Sequence, residues 1–295
     1  MYNKVSVKNS LDGETIYLYL KRNGFSENYI KHLRKKEGYI KLNGEIAFTN
    51  KIVKNGDILE LYKNPNTKSW HNICTVPLNI VYEDDDILTI KKPSNMPTIP
   101  SKLHLSYNLV GAINNYMLKK DSNFTVRIIN RLDKETSGLV CVAKHSVISN
   151  LLNENDYIQK TYLAIVIGKI EKEIIIEKGI LTTKNELGIN NHKRIISDEG
   201  KKAITYVKPV GFDGENTLCE FKLKNGRSHQ IRVHMASINH PLLGDSLYGE
   251  TSDKISHTAL VCYKMKILNP ITKKEINLKI DLPNDFKKAF NKSIT

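Results

Sequence analysis

Cysteine is scarce in this chain of 295 residues: Cys74, Cys141, Cys219 and Cys262 lie far apart and form no Cys-x-x-Cys pair. That spacing supports neither a zinc knuckle nor a disulfide framework. Cys141 and Cys219 fall inside apolar runs and read as small core residues. Long apolar runs are missing too. None approaches the roughly 20 residues that a membrane-spanning helix needs, and residues 1–9 lack the apolar core of a signal peptide. The expectation is a reduced, cytoplasmic protein with no membrane partner. Acidic residues are in deficit. Asp and Glu number 31 against 45 Lys and Arg, which leaves a net charge of +14. An excess of that size points to a polyanionic partner, most simply nucleic acid. A basic surface with no such partner is the blander reading.

The patterning divides the chain into a first unit at 1–63, a linker at 64–76 and a larger unit at 77–295. In the first unit, residues 16–20 are apolar and helical in spacing. Ser26 is placed to cap a second helix through Ile30 and Leu33 that carries Lys31, Arg34 and Lys35. Tyr39 to Gly44 reads as a strand ending in an Asn-Gly turn, and Lys54-Asn55-Gly56-Asp57 as a second turn before a strand at 58–62. The unit holds 12 Lys and Arg against 7 Asp and Glu, so it is more basic per residue than the whole chain. Its helix face is either laid on phosphates or simply solvated. The linker is polar and contains the lone tryptophan, Trp70.

The larger unit alternates strand-like runs with few helices, which argues for an α+β domain around a mixed, largely antiparallel sheet. Strands are expected at 80–82, 87–90, 139–143, 160–168, 173–176, 203–210, 218–224, 260–268 and 276–280. Helices are expected around Val110, Ile113 and Met117, at 146–153, and after Gly226-Arg227-Ser228-His229-Gln230. The four acids Glu83 to Asp86 read as a solvated turn rather than a metal site, because adjacent turn residues point apart. The stretch Arg131-Leu132-Asp133-Lys134-Glu135-Thr136-Ser137-Gly138-Leu139-Val140 places an acid beside a cation on a loop at the mouth of an apolar run. A carboxylate beside a fixed cation is kept ionised and can act as nucleophile or base. Taken alone, Asp133 reads more readily as a loop acid that caps a helix or turn.

Four motifs in order resemble those of RluA/RluD-type pseudouridine synthases: the strands, Lys-Pro and proline loop at 78–101, Arg131 to Lys144, Lys160 to Gly168, and Gly226 to Gly249. The first unit resembles the S-four RNA-binding domain. The resemblance implies a pseudouridine synthase catalytic domain preceded by a small α/β S-four-like domain, with RNA as partner, large-subunit ribosomal RNA first and transfer RNA second. It implies isomerisation of uridine with no cofactor and no metal, by a monomer. By the same resemblance Asp133 is the catalytic carboxylate, Tyr162 the active-site tyrosine and Arg232 the basic residue that pairs with the acid. Arg131, His229 and Gln230 become substrate-binding motif residues, and Val233 an apolar position near the uracil. Lys31, Arg34 and Lys35 become RNA contacts of the first unit. His229, His234, His240 and Asp245 fit no common zinc spacing and fall to the same motif. Departures from the family pattern are Asn130 for histidine, Ser228 for threonine, Asn95 for glycine, and Val261-Cys262 for His-Ala.

Two rivals stand beside this reading. A non-catalytic RNA-binding or ribosome-assembly factor on the same scaffold would be expected to lack Asp133, Tyr162 or Arg232. A glycoside hydrolase would need two carboxylates flanking the bond, and the motifs offer one acid with an arginine.

Overall fold

The chain is described from a computed structural model, for all residues except 1, 26, 35–37, 64–72, 102–103, 121–125, 155–156, 185–189 and 291–295. Ser26, Lys35, Trp70 and most of the linker therefore lie outside the described residues.

The first unit contains β1 (Tyr2–Ser6), α1 (Ile16–Arg22), α2 (Glu27–Arg34), β2 (Gly38–Leu42), β3 (Glu45–Ala47) and β4 (Ile58–Lys63). The strands form an antiparallel sheet in the order β1-β4-β2-β3. Thr15 caps α1 by accepting a bond from the Leu18 N–H. Ile16, Leu20, Ile30 and Leu59 are fully buried between helices and sheet. Asn43 and Gly44 have φ of 53° and 89°, the paired positive values of a two-residue hairpin turn that joins β2 to β3. Strands β1 and β3 went unforeseen because each occupies an edge and carries little apolar alternation.

The larger unit runs β5 (Ile80–Glu83), β6 (Ile87–Lys92), α3 (Leu109–Lys119), β7 (Arg127–Ile128), β8 (Ser137–Ala143), α4 (Ser146–Glu154) and β9 (Ile158–Ile167). It continues through β10 (Ile174–Lys184), β11 (Asn190–Ile196), β12 (Lys201–Phe212), β13 (Asn216–Leu223), α5 (Gln230–Ala236), β14 (Leu260–Leu268), β15 (Glu275–Lys279) and α6 (Asn284–Ala289). One sheet carries all of these strands in the order β11-β10-β12-β13-β9-β14-β8-β6-β5, with β15 beside β14 and β7 beside β8. Among the described strand-to-strand pairings only β14 with β8 is parallel, so the sheet is mixed and largely antiparallel.

Its centre positions the site. Every residue of β8 is buried, and the strand begins against β14 at Gly138, whose φ is 115°. A Cβ there would stand 2.3 Å from the Cys262 carbonyl oxygen, so only glycine lets the two backbones meet. The acidic turn between β5 and β6 is committed to the fold. Asp84 accepts the N–H groups of Asp86 and Ile87, and Glu83 takes Lys144 at 2.8 Å and Lys120 at 3.0 Å. Burial opposes ionisation of Glu83, yet bonds from Lys144, Tyr116 and Lys120 pull its pKa down to about 2. Val147 of α4 packs on the core of the first unit.

Candidate active site

A cleft of about 370 Å³ opens between the loop that precedes β8, strand β9 and the start of α5. Asp133, Arg131, Tyr162, His229, Arg232 and Leu260 line it. The Asp133 loop is pinned on both sides. The Thr98 hydroxyl donates to the Leu132 carbonyl at 2.6 Å and accepts from the Leu132 N–H at 3.2 Å. The Lys92 ammonium donates to the carbonyls of Lys134, Pro93 and Met96 at 3.1, 2.8 and 2.7 Å. The Thr258 hydroxyl donates to Glu135 at 2.5 Å. Three side chains from two segments, residues 92–98 and Thr258, thus hold the chain around Asp133, whose side chain remains partly exposed to the cleft.

The cation beside Asp133 is not Arg131, which is exposed. Arg232 Nη1 stands 3.9 Å from Asp133 Oδ2, and His229 Nε2 stands 3.9 Å from Oδ1. The expected pairing of Arg232 with Asp133 is present at this longer range, but Asp133 is not the tightest partner. The guanidinium makes its short two-point contact with Asp245, at 2.7 and 2.6 Å, and also reaches Glu135 at 3.7 Å. Both partners are buried, with side-chain exposures of 5% for Arg232 and 0% for Asp245. Burial works against the charge on Arg232, but the bonds to Asp245 together with the charges of Asp245, Asp133 and Glu135 outweigh it and raise the pKa. Asp245 is itself held by the N–H groups of Leu247 and Tyr248. Arg232 is therefore a fixed cation that Asp245 presents to the cleft, with Asp133 at longer range.

Tyr162 lies in β9, directly opposite Cys262 of β14 and Phe221 of β13. Burial, then the Cys262 and Asp133 charges and a bond with the Cys262 thiol, raise its pKa well above 10. The Val261-Cys262 departure thus places a thiol on the tyrosine that walls the cleft. Burial pushes that thiol up to about 12 as well. His229 precedes α5 with φ of 58°. Its Nδ1 shares a hydrogen bond of 3.0 Å with the Tyr248 hydroxyl. Burial depresses its pKa, with Asp133 opposing.

Other expected site residues separate. Gln230 lines the cleft, but its amide is spent: Nε2 donates to the Ile204 carbonyl and Thr205, and Oε1 accepts the Arg227 N–H. Val233 does not face the cleft. It packs with Ile180, Ala203 and Tyr248, because one helical step of about 100° turns it away from Arg232. Tyr162, Leu223, Ile231 and Leu260 supply the apolar lining instead. In the first unit Lys31 is exposed and paired with Glu27 at 3.1 Å. Arg34 ends α2, and Lys35 lies outside the described residues. Asn130 fills its motif position by bridging to β8, donating to the Leu139 carbonyl and accepting from the Cys141 N–H. His234 and His240 have separate partners, Thr205 and the Ile167 carbonyl.

Lys92, Glu135 and Tyr248 were missed as supports of the site, and Asp245, expected as a supporting motif residue, was not foreseen as the partner of Arg232. Lys92 carried a readable signal. In β6 it follows Leu88 and Ile90 at period two, so it points inward with them. Burial lowers its pKa to about 7, opposed by the Asp133 charge.

A family profile for RNA pseudouridylate synthase matches residues 86–237. The chain belongs to this family. It is an RNA pseudouridine synthase by family, an isomerase, and the matched span contains Asp133, Tyr162 and Arg232. The uncharacterized RNA pseudouridine synthase YjbO of Bacillus subtilis is 30% identical over 93% of this chain and 97% of its own length. Ribosomal large subunit pseudouridine synthase D of Vibrio cholerae is 31% identical over 84% and 81%. Among solved structures, human RNA Pseudouridylate Synthase Domain Containing 1 superposes with a TM-score of 0.55 at 25% identity, covering 70% of this chain and 84% of that one.

Proposed function

We propose that this synthase isomerises specific uridines of large-subunit ribosomal RNA, with Asp133 as the catalytic carboxylate. The observation that carries the reading is the triple anchoring of the Asp133 loop opposite a buried arginine and a buried tyrosine. The cleft holds a nucleotide only if the uridine leaves its stack. Asp133 then either adds to C1′ as the C1′–N1 bond breaks, or takes the C2′ proton to give a glycal. In the first route C5 of the turned uracil displaces the Asp133 carboxylate from C1′; in the second, C5 bonds to C1′ of the glycal as Asp133 returns the proton to C2′. In both, the C5 proton is lost and N1 takes one up, so the product is an isomer of the substrate. Tyr162 forms the aromatic wall against which the ring turns. Burial favours its protonated form, and its hydroxyl, or a group that it orients, relays the C5 proton at the end of the reaction. Arg232, fixed by Asp245, supplies the positive field that steadies the carboxylate through its charge changes.

The first unit, residues 1–63, acts in this account as an S-four-like RNA-binding domain, with Lys31, Arg34 and Lys35 near phosphates, and residues 77–295 as the catalytic domain. The enzyme works as a cytoplasmic monomer. Support for a ribosomal target comes from the Vibrio cholerae relative, a ribosomal large subunit pseudouridine synthase by name, and from the charge of +14.

The test is to map pseudouridines in ribosomal and transfer RNA from cells with and without this protein. Loss of a site in large-subunit RNA supports the proposal. Loss of a transfer RNA site moves the target, and an unchanged map favours the non-catalytic RNA-binding rival.

A further inference from the structure

A second groove, about 810 Å³, adjoins the cleft and shares Ile129, Asn130, Lys160, Leu223 and Gly226 with it. Its lining includes six lysines: Lys160, Lys222, Lys224, Lys264, Lys266 and Lys279. No aspartate or glutamate stands among its lining residues.

The sheet register organises these charges. Lys222 of β13 pairs with Thr161 of β9, Thr161 with Lys264 of β14, and Lys264 with Lys279 of β15. Residues directly opposite share a face, so Lys222, Lys264 and Lys279 form one row at right angles to the strands. With strands about 4.8 Å apart, the row spans about 14 Å. Like charges set directly opposite each other destabilise a sheet, and Lys264 against Lys279 is such a pair. The described carboxylates do little to relieve it. Glu220 reaches Lys264 only at 3.9 Å, and Glu275 engages Lys266 at 2.6 Å. Lys264 also lies 4.8 Å from the Tyr263 ring centroid; a row of lysines with no carboxylate among its lining residues, beside an active-site cleft, fits a site completed by an external anion.

From this geometry we infer that the groove is a phosphate track for the RNA flanking the target uridine, with Lys222, Lys264 and Lys279 as its principal contacts. The inference rests on the proposed RNA isomerase function and adds the path of the substrate. The strand leaves the cleft past Lys160 and Gly226 and crosses the lysine row. The row reads no base. It neutralises phosphates, so its effect is on affinity and salt dependence rather than on the chemical step.

The test uses the full chain and an unmodified transcript of large-subunit ribosomal RNA, with binding measured across a salt series. The variant Lys222→Gln/Lys264→Gln/Lys279→Gln is expected to reduce the slope of log affinity against log salt by about 2 to 3. Single Lys279→Gln should reduce it by about 1. Lys172→Gln/Lys208→Gln/Lys274→Gln, with the same charge change outside the groove, should leave the slope as in the wild type. Relief of the Lys264–Lys279 repulsion should leave the melting temperature of the groove variant no lower than that of the wild type. A wild-type slope in the groove variant, or an equal loss in the control variant, overturns the inference. Asp133→Asn separates the two proposals. It should keep the wild-type salt slope even though turnover is lost, so a failed catalytic reading shows in turnover and a failed track shows in the slope.

Discussion

Asp245→Asn removes one charge from the most buried ion pair of the site while keeping its shape. Arg232 and Asp245 are bonded at two points, 2.6 and 2.7 Å, with side-chain exposures of 5% and 0%. Breaking such a pair leaves an uncompensated buried charge and costs about 3–5 kcal/mol. Glu135 at 3.7 Å and Asp133 at 3.9 Å remain to share the guanidinium, which places the expectation near the lower end, about 3 kcal/mol. With a urea dependence of roughly 1–3 kcal/mol per molar, the unfolding midpoint should fall by about 1 M or more. Activity should fall as well, because an arginine released by Asp245 moves onto Asp133. The double variant Arg232→Met/Asp245→Leu should recover much of the stability and none of the activity, since apolar replacement of both partners removes the buried charge. Urea denaturation followed by circular dichroism, with turnover measured in parallel, decides the matter. A single Asp245→Asn variant within about 1 kcal/mol of the wild type would refute the claim that this pair anchors the site.

Lys92→Met leaves three carbonyls without their donor and should cost about 3 kcal/mol or more in urea denaturation. Burial sets the Lys92 pKa near 7, below the unfolded value of about 10.4, so the unfolded chain binds the extra proton between these values. Wild-type stability should therefore gain as pH rises through that window, and the variant should lack that gain. His229 follows the same sign at lower pH. Its folded pKa is depressed by burial, so stability falls as pH drops below about 6.5. His229→Asn, which tolerates the positive φ, should flatten that fall when urea midpoints are compared at acid and neutral pH.

Much of this fold is readable from periodicity. Ile113 and Met117 lie on the buried face of α3 as their spacing predicts, with Leu109 and Ala112 beside them while Val110 is half-buried, and the run from Leu139 to Ala143 is a strand buried along its whole length. Strand β11 escaped because its sequence, NNHKRII, carries little apolar alternation. The site was legible to the extent that its residues sit in contiguous motifs. Asp133, Tyr162 and His229 do reach one cleft. What stayed hidden depends on pairing across distance. The Gly244-Asp245 turn gave no sign that its acid would be wholly buried against Arg232, 13 residues earlier. Nor did the α5 motif reveal that Gln230 would spend its amide on β12 and that Val233 would turn away.

The most direct test of the account is turnover by Asp133→Asn on an RNA transcript that the wild type modifies, read as pseudouridine formed at the target uridine. The carboxamide keeps the size of the side chain and cannot serve as the ionised carboxylate. The account predicts no detectable pseudouridine with RNA binding retained. Pseudouridine formation at the wild-type rate would contradict it.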